Sequence, residues 1–465
     1  MKKTLTAFSL TAILSFLLVS CEQAEHVTAA YLEVESEKEL LCSFDESEYA
    51  INIKSNSSWK ISISDNVDWL SLNEFAGMND ATVILTVAEN ISVSERTAVI
   101  NISLMDKSAS TDITVTQQHN GDIDVFERIE DSNFREYCKQ FDLDGDEKLS
   151  LEEASQILYI DLTPGAYDAP QQLISSLKGI EYFPNLISLA FGNNVVTEID
   201  LSGNAKLKEL IAVRNRLKAI DVTHCPELEY LYISENPEIS EIDVTCNPRL
   251  IVLSTEQNSS ISSIDLSNCP DLTDLSMLGN SISEIDFSAN TKLKNIGLDL
   301  NRLSSIDVSM LPSLERLNLV SNNISGEIDV TNNPGLLVLS ISNNSITSVD
   351  VSKCPELNSF YCSSNQLQEI DLSKNGKLTS FQCSDNLFRS VDISGCPDMV
   401  QFICTNQPNL EEIDISKCNP DTLVSFTAYE NPKLKTIWVW DGFTGIPSGE
   451  WTQWTIQDGV EFRNH

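Results

Sequence analysis

The 465-residue sequence has few basic and few aromatic residues. It carries 30 Lys and Arg against 69 Asp and Glu, which gives a formal net charge of −39. Because such a charge repels phosphate groups, nucleic acid and anionic membrane headgroups are poor partners. Aromatic residues make up only 7%, but the apolar fraction of 41% is ordinary for a folded chain and argues against global disorder.

Signatures of catalysis are also scarce. The four histidines, His26, His119, His224 and His465, stand in no context typical of a triad or a metal site. The sequence contains no P-loop, no dinucleotide-binding glycine run and no G-x-S-x-G elbow. Nothing selects a carboxylate pair for glycoside hydrolysis among the 69 acidic residues. We therefore expect a protein that is not an enzyme and that uses no organic cofactor.

Long apolar runs are confined to the N-terminus. A lysine pair precedes an apolar stretch over 7–19, too short for a permanent membrane span, which indicates a signal peptide over 1–20. The tetrapeptide LVSC that ends at Cys21 resembles the lipobox of bacterial lipoproteins; an ordinary secretory signal is the alternative. The resemblance implies lipidation of Cys21, a lipidated tether over 21–29, and attachment to the bacterial outer membrane through the lipid alone, with surface exposure.

Residues 30–118 show the alternation of a small β-sandwich. Apolar and polar residues alternate over 50–54, 59–63, 83–87, 97–102 and 113–115, and polar turns separate these segments. Together with Ser58-Trp59, the DWLSL run that contains Trp69, and Gly77, the region resembles the BACON domain, an immunoglobulin-like module of Bacteroidetes surface and secreted proteins. The resemblance implies either sugar capture, with Trp59 or Trp69 stacking on a sugar ring, or a spacer in which both indoles fill the core.

Residues 121–157 predict a helix, a calcium loop and a second helix. The loop DLDGDEKLSLEE at 142–153 resembles an EF-hand, which binds Ca²⁺ through oxygens at fixed places along twelve residues. The resemblance implies a structural Ca²⁺ ion held by Asp142, Asp144, Asp146, the Lys148 carbonyl, Ser150 and Glu153.

Two features of this loop depart from the EF-hand pattern. Glu147 stands at the sixth place, where EF-hands have a glycine in a left-handed turn, at a cost of about 1–2 kcal/mol. No second loop is present to pair with the first. The alternative is an acidic helix N-terminus without a metal ion.

A 21- or 22-residue period dominates residues 186–440. Each unit has the form L-x-x-[LIF]-x-[apolar]-x-x-N followed by I-D-[VLIF]-[ST], and units start at 186, 207, 228, 250, 272, 293, 314, 336, 357, 378, 399 and 423. A fixed period of this length predicts a solenoid with one short parallel strand per unit and three inward residues. The pattern resembles leucine-rich repeats, particularly those of internalins with a cysteine ladder. Residues 158–185 and 441–465 are the expected N- and C-terminal caps.

Two positions of the repeat carry cysteine. Cys362, Cys383 and Cys404 each follow the first residue of their unit by five. Neighbours about 4.8 Å apart with parallel side chains suit a disulfide poorly, so we predict free thiols in ladders. A second position is assigned to Cys225, Cys246, Cys269, Cys354, Cys396 and Cys418, alternating with Asn204, Asn290, Asn333 and Asn375.

The repeat also carries an asparagine ladder and an aspartate ladder. The asparagines are expected to bond backbone groups inside the turn, with Gln407 interrupting their ladder. The aspartates either cap their own turns in solvent or bridge rungs through cations. Bridging of the rungs by cations predicts that calcium still raises the melting temperature of an Asp142→Ala variant. The aspartates of the ladder are Asp200, Asp221, Asp243, Asp265, Asp286, Asp307, Asp329, Asp350, Asp371, Asp392 and Asp414.

Partner choice is expected on the exposed strand face. An apolar patch of Ile211, Val213, Tyr230, Tyr232 and Val252 stands out from later repeats rich in Ser, Asn and Gln, as a docking site or as ordinary surface.

The sequence thus predicts a multidomain chain: an immunoglobulin-like β-sandwich, a short EF-hand-like helical segment and a leucine-rich-repeat solenoid. Its predicted function is a non-enzymatic surface lipoprotein whose solenoid binds an extracellular protein or glycan. Carbohydrate capture through the BACON-like domain is the alternative.

Overall fold

The computed structural model describes residues 29–64, 67–90, 94–119, 123–165, 172–446 and 453–464. The predicted signal peptide, Cys21 and the tether up to residue 28 lie outside the described residues. The chain divides into two compact units: one holds residues up to Gln118 apart from 91–94, and the other holds 91–94 and 119–465. No helix within the described ranges has the length and apolarity needed to cross a membrane.

The first unit is a β-sandwich, as predicted. Its strands are β1 Leu32–Val34, β2 Glu39–Cys42, β3 Ser47–Ser55, β4 Ser58–Ile63, β5 Leu70–Leu72, β6 Ala76–Met78, β7 Ala81–Val87, β8 Arg96–Leu104 and β9 Ser110–Gln117. One sheet has the order β1-β3-β7-β5 and the other has the order β2-β9-β8-β4-β6. The alternating residues of both sheets meet in one core.

Both tryptophans of the sandwich belong to this core. Trp59 is fully buried, and its indole Nε1 donates to the Asn79 carbonyl at 2.9 Å. Any side chain at Gly77 would come within 2.4 Å of the same ring. Trp69 is 8% exposed, and the Cζ atom of Arg96 lies over the Trp69 ring, 4.6 Å from the ring centroid. Neither indole is free to stack on a sugar, so the core interpretation is the correct one.

The second unit begins with short helices and continues as the solenoid. The helices are α1 Val125–Arg128, α2 Ser132–Cys138 and α3 Leu151–Ala154, with 3-10 turns at Lys139–Phe141 and Ile180–Tyr182. Strands follow at β10 Tyr159–Asp161, β11 Ser188–Ala190, β12 Glu209–Ile211, β13 Tyr230–Tyr232, β14 Val252–Ser254, β15 Asp274–Ser276, β16 Asn295–Gly297, β17 Arg316–Asn318, β18 Ser325–Asp329, β19 Val338–Ser340, β20 Ser345–Asp350, β21 Ser359–Tyr361, β22 Ser380–Gln382, β23 Ser390–Asp392, β24 Gln401–Ile403, β25 Glu412–Asp414, β26 Ser425–Ala428, β27 Thr436–Trp438, β28 Gln453–Ile456 and β29 Glu461–Arg463.

One parallel sheet of 14 strands runs along the solenoid, in the order β10-β11-β12-β13-β14-β15-β16-β17-β19-β21-β22-β24-β26-β28. Shorter sheets, β18-β20 and β23-β25-β27-β29, form where the aspartate turns pair. The first residue of each repeat and the residues three and five places on are buried, as in Leu207, Leu210 and Ala212. One repeat could not bury this triad alone, so stacking stabilises the array.

The asparagine ladder bonds the turns as predicted. Asn215 donates from Nδ2 to the Phe191 and Ala212 carbonyls at 3.0 and 3.3 Å, and its Oδ1 accepts from the Val196 N–H at 3.1 Å. The residue before each ladder position has φ between 53° and 70°. The turn therefore exposes backbone groups that only an inward amide reaches.

Gln407 does not interrupt this ladder, contrary to the prediction. Its Nε2 donates to the Cys383 carbonyl at 2.6 Å, and its Oε1 accepts from the Phe388 N–H at 3.3 Å. The longer side chain reaches the equivalent carbonyl of the preceding repeat and the equivalent N–H, so the ladder stays continuous.

The aspartates cap their own turns. In each of the eleven, Oδ1 accepts from the N–H two residues on, at 2.8–2.9 Å. At Asp221, hydrogen bonds from the Thr223 hydroxyl and N–H lower the carboxyl pKa. The capping interpretation accounts for the ladder, because the turn uses one oxygen of every carboxylate.

The cysteines of the described residues are free thiols, as predicted. Cys362, Cys383 and Cys404 are buried in a ladder, and burial raises the pKa of the first two thiols. The assignment of Cys246 to the second position was wrong, because that thiol is exposed. The buried position lies three residues before the next repeat, and there Asn247 occupies it.

An aromatic stack closes the C-terminal end. Phe360, Phe381, Phe402 and Phe426 follow one another with ring centroids 5.3–5.9 Å apart. Trp454 continues the stack 4.8 Å from Phe426, and its Nε1 donates to a backbone carbonyl. This indole therefore caps the sheet; Trp451 lies outside the described residues.

Candidate functional site

The exposed face of the 14-stranded sheet carries the outward strand residues in columns. Strand pairing sets Tyr230 beside Val252 and Ile211 beside Tyr232. Because parallel strands lie about 4.8 Å apart, outward residues of successive repeats are direct neighbours. A partner that contacts the outward residues of one repeat therefore also contacts those of the neighbouring repeats.

A depression of about 480 Å³ lies in this face across β13 to β17. Its floor has three small residues in succession within one column, between Tyr232 and Asn318: Ser254, Ser276 and Gly297. Tyr232 and Val252 line one end. Side chains missing from one column thus leave a recess in an otherwise even surface.

Polar groups surround this recess. The Glu256 carboxylate accepts from the Ser276 hydroxyl at 2.6 Å, and Asp274 accepts from the Asn295 amide at 2.7 Å. Arg316 and Asn318 line the opposite end from Tyr232.

Asp299 follows Gly297 by two residues and does not belong to the residues that line the recess. Burial raises the pKa of its carboxyl group, against the hydrogen bond that it accepts from the Val320 N–H at 2.6 Å, and the charge of Glu256 raises this pKa further. The carboxylate is therefore poorly hydrated and lacks a compensating cation in the described part of the chain.

The next residue carries an exposed apolar side chain. Leu300 is 56% exposed, although its backbone is left-handed with φ 54°. A bulky residue is disfavoured there, and exposure adds an unfavourable hydration term. The equivalent positions of the neighbouring repeats are Gly279 and Ser321, which have the same left-handed backbone.

The predicted patch and this recess overlap only in part. All five predicted residues lie half-buried on the sheet side of repeats two to four. Tyr232 and Val252 line the recess, whereas Ile211, Val213 and Tyr230 do not. The glycine at an outward strand position, Gly297, is the sequence signal that points to the recess, because a missing side chain matters as much as an apolar one.

The predicted calcium loop brings three carboxylates together. Ligand oxygens of Asp142, Asp144 and Asp146 lie within 4.8 Å of one another. Asp142 also accepts from the N–H groups of Gly145 and Glu147, which folds the loop round these carboxylates. Three acidic oxygens from one short loop are a donor set that suits a hard divalent cation.

Glu153 does not belong to this group of three. Its Oε1 accepts from the Leu143 N–H at 2.8 Å, and its Oε2 accepts from the Ser150 N–H at 2.9 Å and from the Ser150 hydroxyl. The carboxylate therefore joins the start of the loop to the N-terminus of α3. Lys148 and Ser150 occupy the seventh and ninth places of the same loop.

Glu147 has the left-handed backbone that its place in the loop predicts, with φ 69°. Glu147→Gly is therefore expected to raise the free energy of unfolding by about 1 kcal/mol, because glycine adopts this conformation without strain. Gly145 has φ 75° and open space around it, so Gly145→Ala is the matched opposite change and should destabilise by a similar amount. Denaturant unfolding of both variants measures the difference; equal signs would contradict the strain argument.

The fold and its faces define a leucine-rich-repeat solenoid joined to a BACON domain. Residues 57–118 match the BACON family, described as an N-terminal binding domain, and residues 311–328 match a leucine-rich-repeat family. No protein with a curated description matches the chain.

Solved structures extend this comparison. The functional domain of InlJ from Listeria monocytogenes, which includes a cysteine ladder, is 26% identical, with a TM-score of 0.50 over 68% of this chain and 75% of that one. The leucine-rich effector YopM from Yersinia pestis is 24% identical over 57% of this chain and 74% of that one, with a TM-score of 0.43. A Bacteroides ovatus GH5 xyloglucanase in complex with a heptasaccharide is 28% identical over 20% of this chain and 19% of that one, with a TM-score of 0.18.

Proposed function

We propose that this chain is a non-enzymatic surface lipoprotein whose solenoid binds an extracellular protein through the exposed sheet face. The recess across β13 to β17 carries the proposal, because it combines a small-residue floor, an aromatic wall and polar groups in one place. The lipobox-like sequence before Cys21 supports attachment to the outer membrane. The likeness to the InlJ domain supports a role in interaction.

A protein is favoured over a glycan as the partner of the solenoid. The alternative of sugar capture by the sandwich relied on Trp59 and Trp69, and both indoles are buried. Tyr232 is the only aromatic side chain that lines the recess in the described residues, so a stacked run of sugar rings lacks a platform.

Calcium is part of this proposal. Asp142, Asp144 and Asp146 would hold one ion, whose charge would offset the repulsion among their carboxylates. The Lys148 carbonyl, Ser150 and Glu153 would complete its coordination once Glu153 exchanges its hydrogen bonds with Leu143 and Ser150 for the ion. The site lies beside the first repeats, so we assign it a structural role.

Photo-crosslinking on the full chain tests the binding face. A benzophenone side chain replaces Tyr232 on the sheet or Ser288 on an aspartate turn, and each variant is mixed with host and microbial surface extracts. We expect one saturable protein adduct from position 232 and none from position 288, with competition by excess unlabelled protein. Equal adducts at both positions, or adducts that no competitor removes, would contradict the proposed face.

Unlabelled Gly297→Trp protein should compete poorly for the adduct that forms at position 232. A Cβ at Gly297 meets only the Ser276 hydroxyl within 3.4 Å, so a small movement of that hydroxyl admits the first side-chain atom, and an indole built on it would occupy the recess. We expect this variant to compete at least about tenfold more weakly than the wild-type protein, because the partner loses its central contact. Gln382→Trp is the matched control, in the same column but outside the recess. A Gly297→Trp protein that competes as well as this control would show that the recess is not used.

A further inference from the structure

We infer that the recess across β13 to β17 receives a basic side chain, arginine or lysine, from an extended segment of the partner protein. The inference rests on the proposed function and adds the chemistry of the occupant. It follows from charge, from the room above the floor and from the character of the wall.

Two carboxylates line the recess without a cation of their own. Glu256 and Asp274 make hydrogen bonds to neutral groups only, among the described residues. Ion pairs between neighbouring repeats occur elsewhere on the solenoid, such as Glu229 with Lys208 at 3.1 Å and Glu315 with Lys294 at 3.6 Å. Neither carboxylate of the recess has such a partner in the described residues, so both are open to a cation from outside.

Arg316 does not supply this compensation. It also lines the recess, two strands beyond Asp274 in the same column, but it forms no ion pair with Glu256 or Asp274 in the described residues. Because Arg316 is exposed to water, its charge is largely screened. A cation from a partner that covers the recess would be less exposed to water and would attract these two carboxylates more strongly.

The shape of the recess also suits a long basic side chain. Ser254, Ser276 and Gly297 leave room above the floor for a methylene stem, and Tyr232 with Val252 offers an apolar wall along it. A guanidinium or ammonium beside an aromatic ring adds a cation–π attraction.

Peptide binding to the full chain tests this inference. The probes are labelled Gly-Ser peptides that carry arginine, lysine, citrulline or glutamate at the same two positions, followed by fluorescence anisotropy at low and physiological ionic strength. We expect the arginine and lysine peptides to bind, more weakly at higher salt, and the neutral citrulline peptide not to bind. Gly297→Trp should abolish binding of the arginine peptide.

Charge variants separate local from global attraction. Glu256→Gln with Asp274→Asn should weaken the arginine peptide about tenfold or more. The pair Asp350→Asn with Asp371→Asn removes the same charge far from the recess and keeps the turn acceptors, so it should change binding less than about twofold. Equal losses from both pairs, or a bound citrulline peptide, would overturn the inference.

Two further results would overturn the basic occupant of the recess. Cellohexaose or maltohexaose that binds wild type but not Gly297→Trp, with no peptide bound, would make the recess a glycan site and overturn the inference. A saturable crosslink at position 232 together with no binding of basic peptides would overturn the basic occupant while leaving the proposed protein partner in place. Thermal unfolding of each variant, equal to wild type, confirms that the fold is intact.

Discussion

Asn301→Ala is expected to lower the free energy of unfolding of the solenoid by about 3–4 kcal/mol, since buried backbone groups lose their partners. Nδ2 of Asn301 donates to the carbonyls of Met277, Leu298 and Asp299 at 2.8–3.2 Å, and Oδ1 accepts from the Ile282 N–H at 3.0 Å. Alanine leaves a cavity that is too enclosed for water to replace all four bonds. Denaturant titration followed by circular dichroism measures the loss.

Asn280 offers a matched control in the preceding repeat. Its Nδ2 donates to the Thr255 and Met277 carbonyls at 2.8 and 3.0 Å, but its Oδ1 has no hydrogen-bond partner in the described residues. Asn280→Ala should therefore cost about 1 kcal/mol less than Asn301→Ala, because no N–H is orphaned. Equal losses would show that the inward carbonyl oxygen contributes nothing, and that the amide donors alone hold the turns.

The repeat could be predicted from the sequence almost residue by residue. A period of 21 or 22 residues maps every unit onto the same coil, so Leu207, Leu210 and Asn215 take the same places as their equivalents in other units. The sandwich strands were found because alternation reports one buried face, as in β7 and β8. Short edge strands such as β1 and β6 carry too few residues to show alternation, and the prediction missed them.

The candidate site was harder to predict for a physical reason. A recess depends on what three or four neighbouring strands present together, and the prediction ranked residues by apolar character within each repeat. That favours Ile211 and Tyr230, and it overlooks Gly297, whose contribution is an absent side chain.

Calcium is expected to stabilise the second unit by about 4 kcal/mol when its free concentration exceeds the dissociation constant about 1,000-fold. The loop that carries Asp142 lies between α2 and α3, and Phe134 of α2 packs on Phe183 with centroids 6.4 Å apart. Asn185 donates to the Ser155 carbonyl after α3 at 2.6 Å. Both contacts join the loop to the N-terminal cap, so the ion should protect the first repeats most. Thermal unfolding and hydrogen exchange, with calcium or with chelator, measure the effect.

Asp142→Ala decides where the calcium response comes from. The variant should unfold in calcium as it does in chelator, whereas Asp307→Ala, which removes one aspartate of the turn ladder, should keep the full response. Asp142→Asn keeps one acceptor, enough for the Gly145 N–H or the Glu147 N–H but not for both, and should also abolish the response; because it perturbs the loop less than alanine does, it helps to separate lost charge from a misfolded loop. A response that survives both Asp142 variants would place cations between rungs of the aspartate ladder. Each of those aspartates already uses one oxygen to cap its own turn, so we expect no calcium response to remain in the two Asp142 variants.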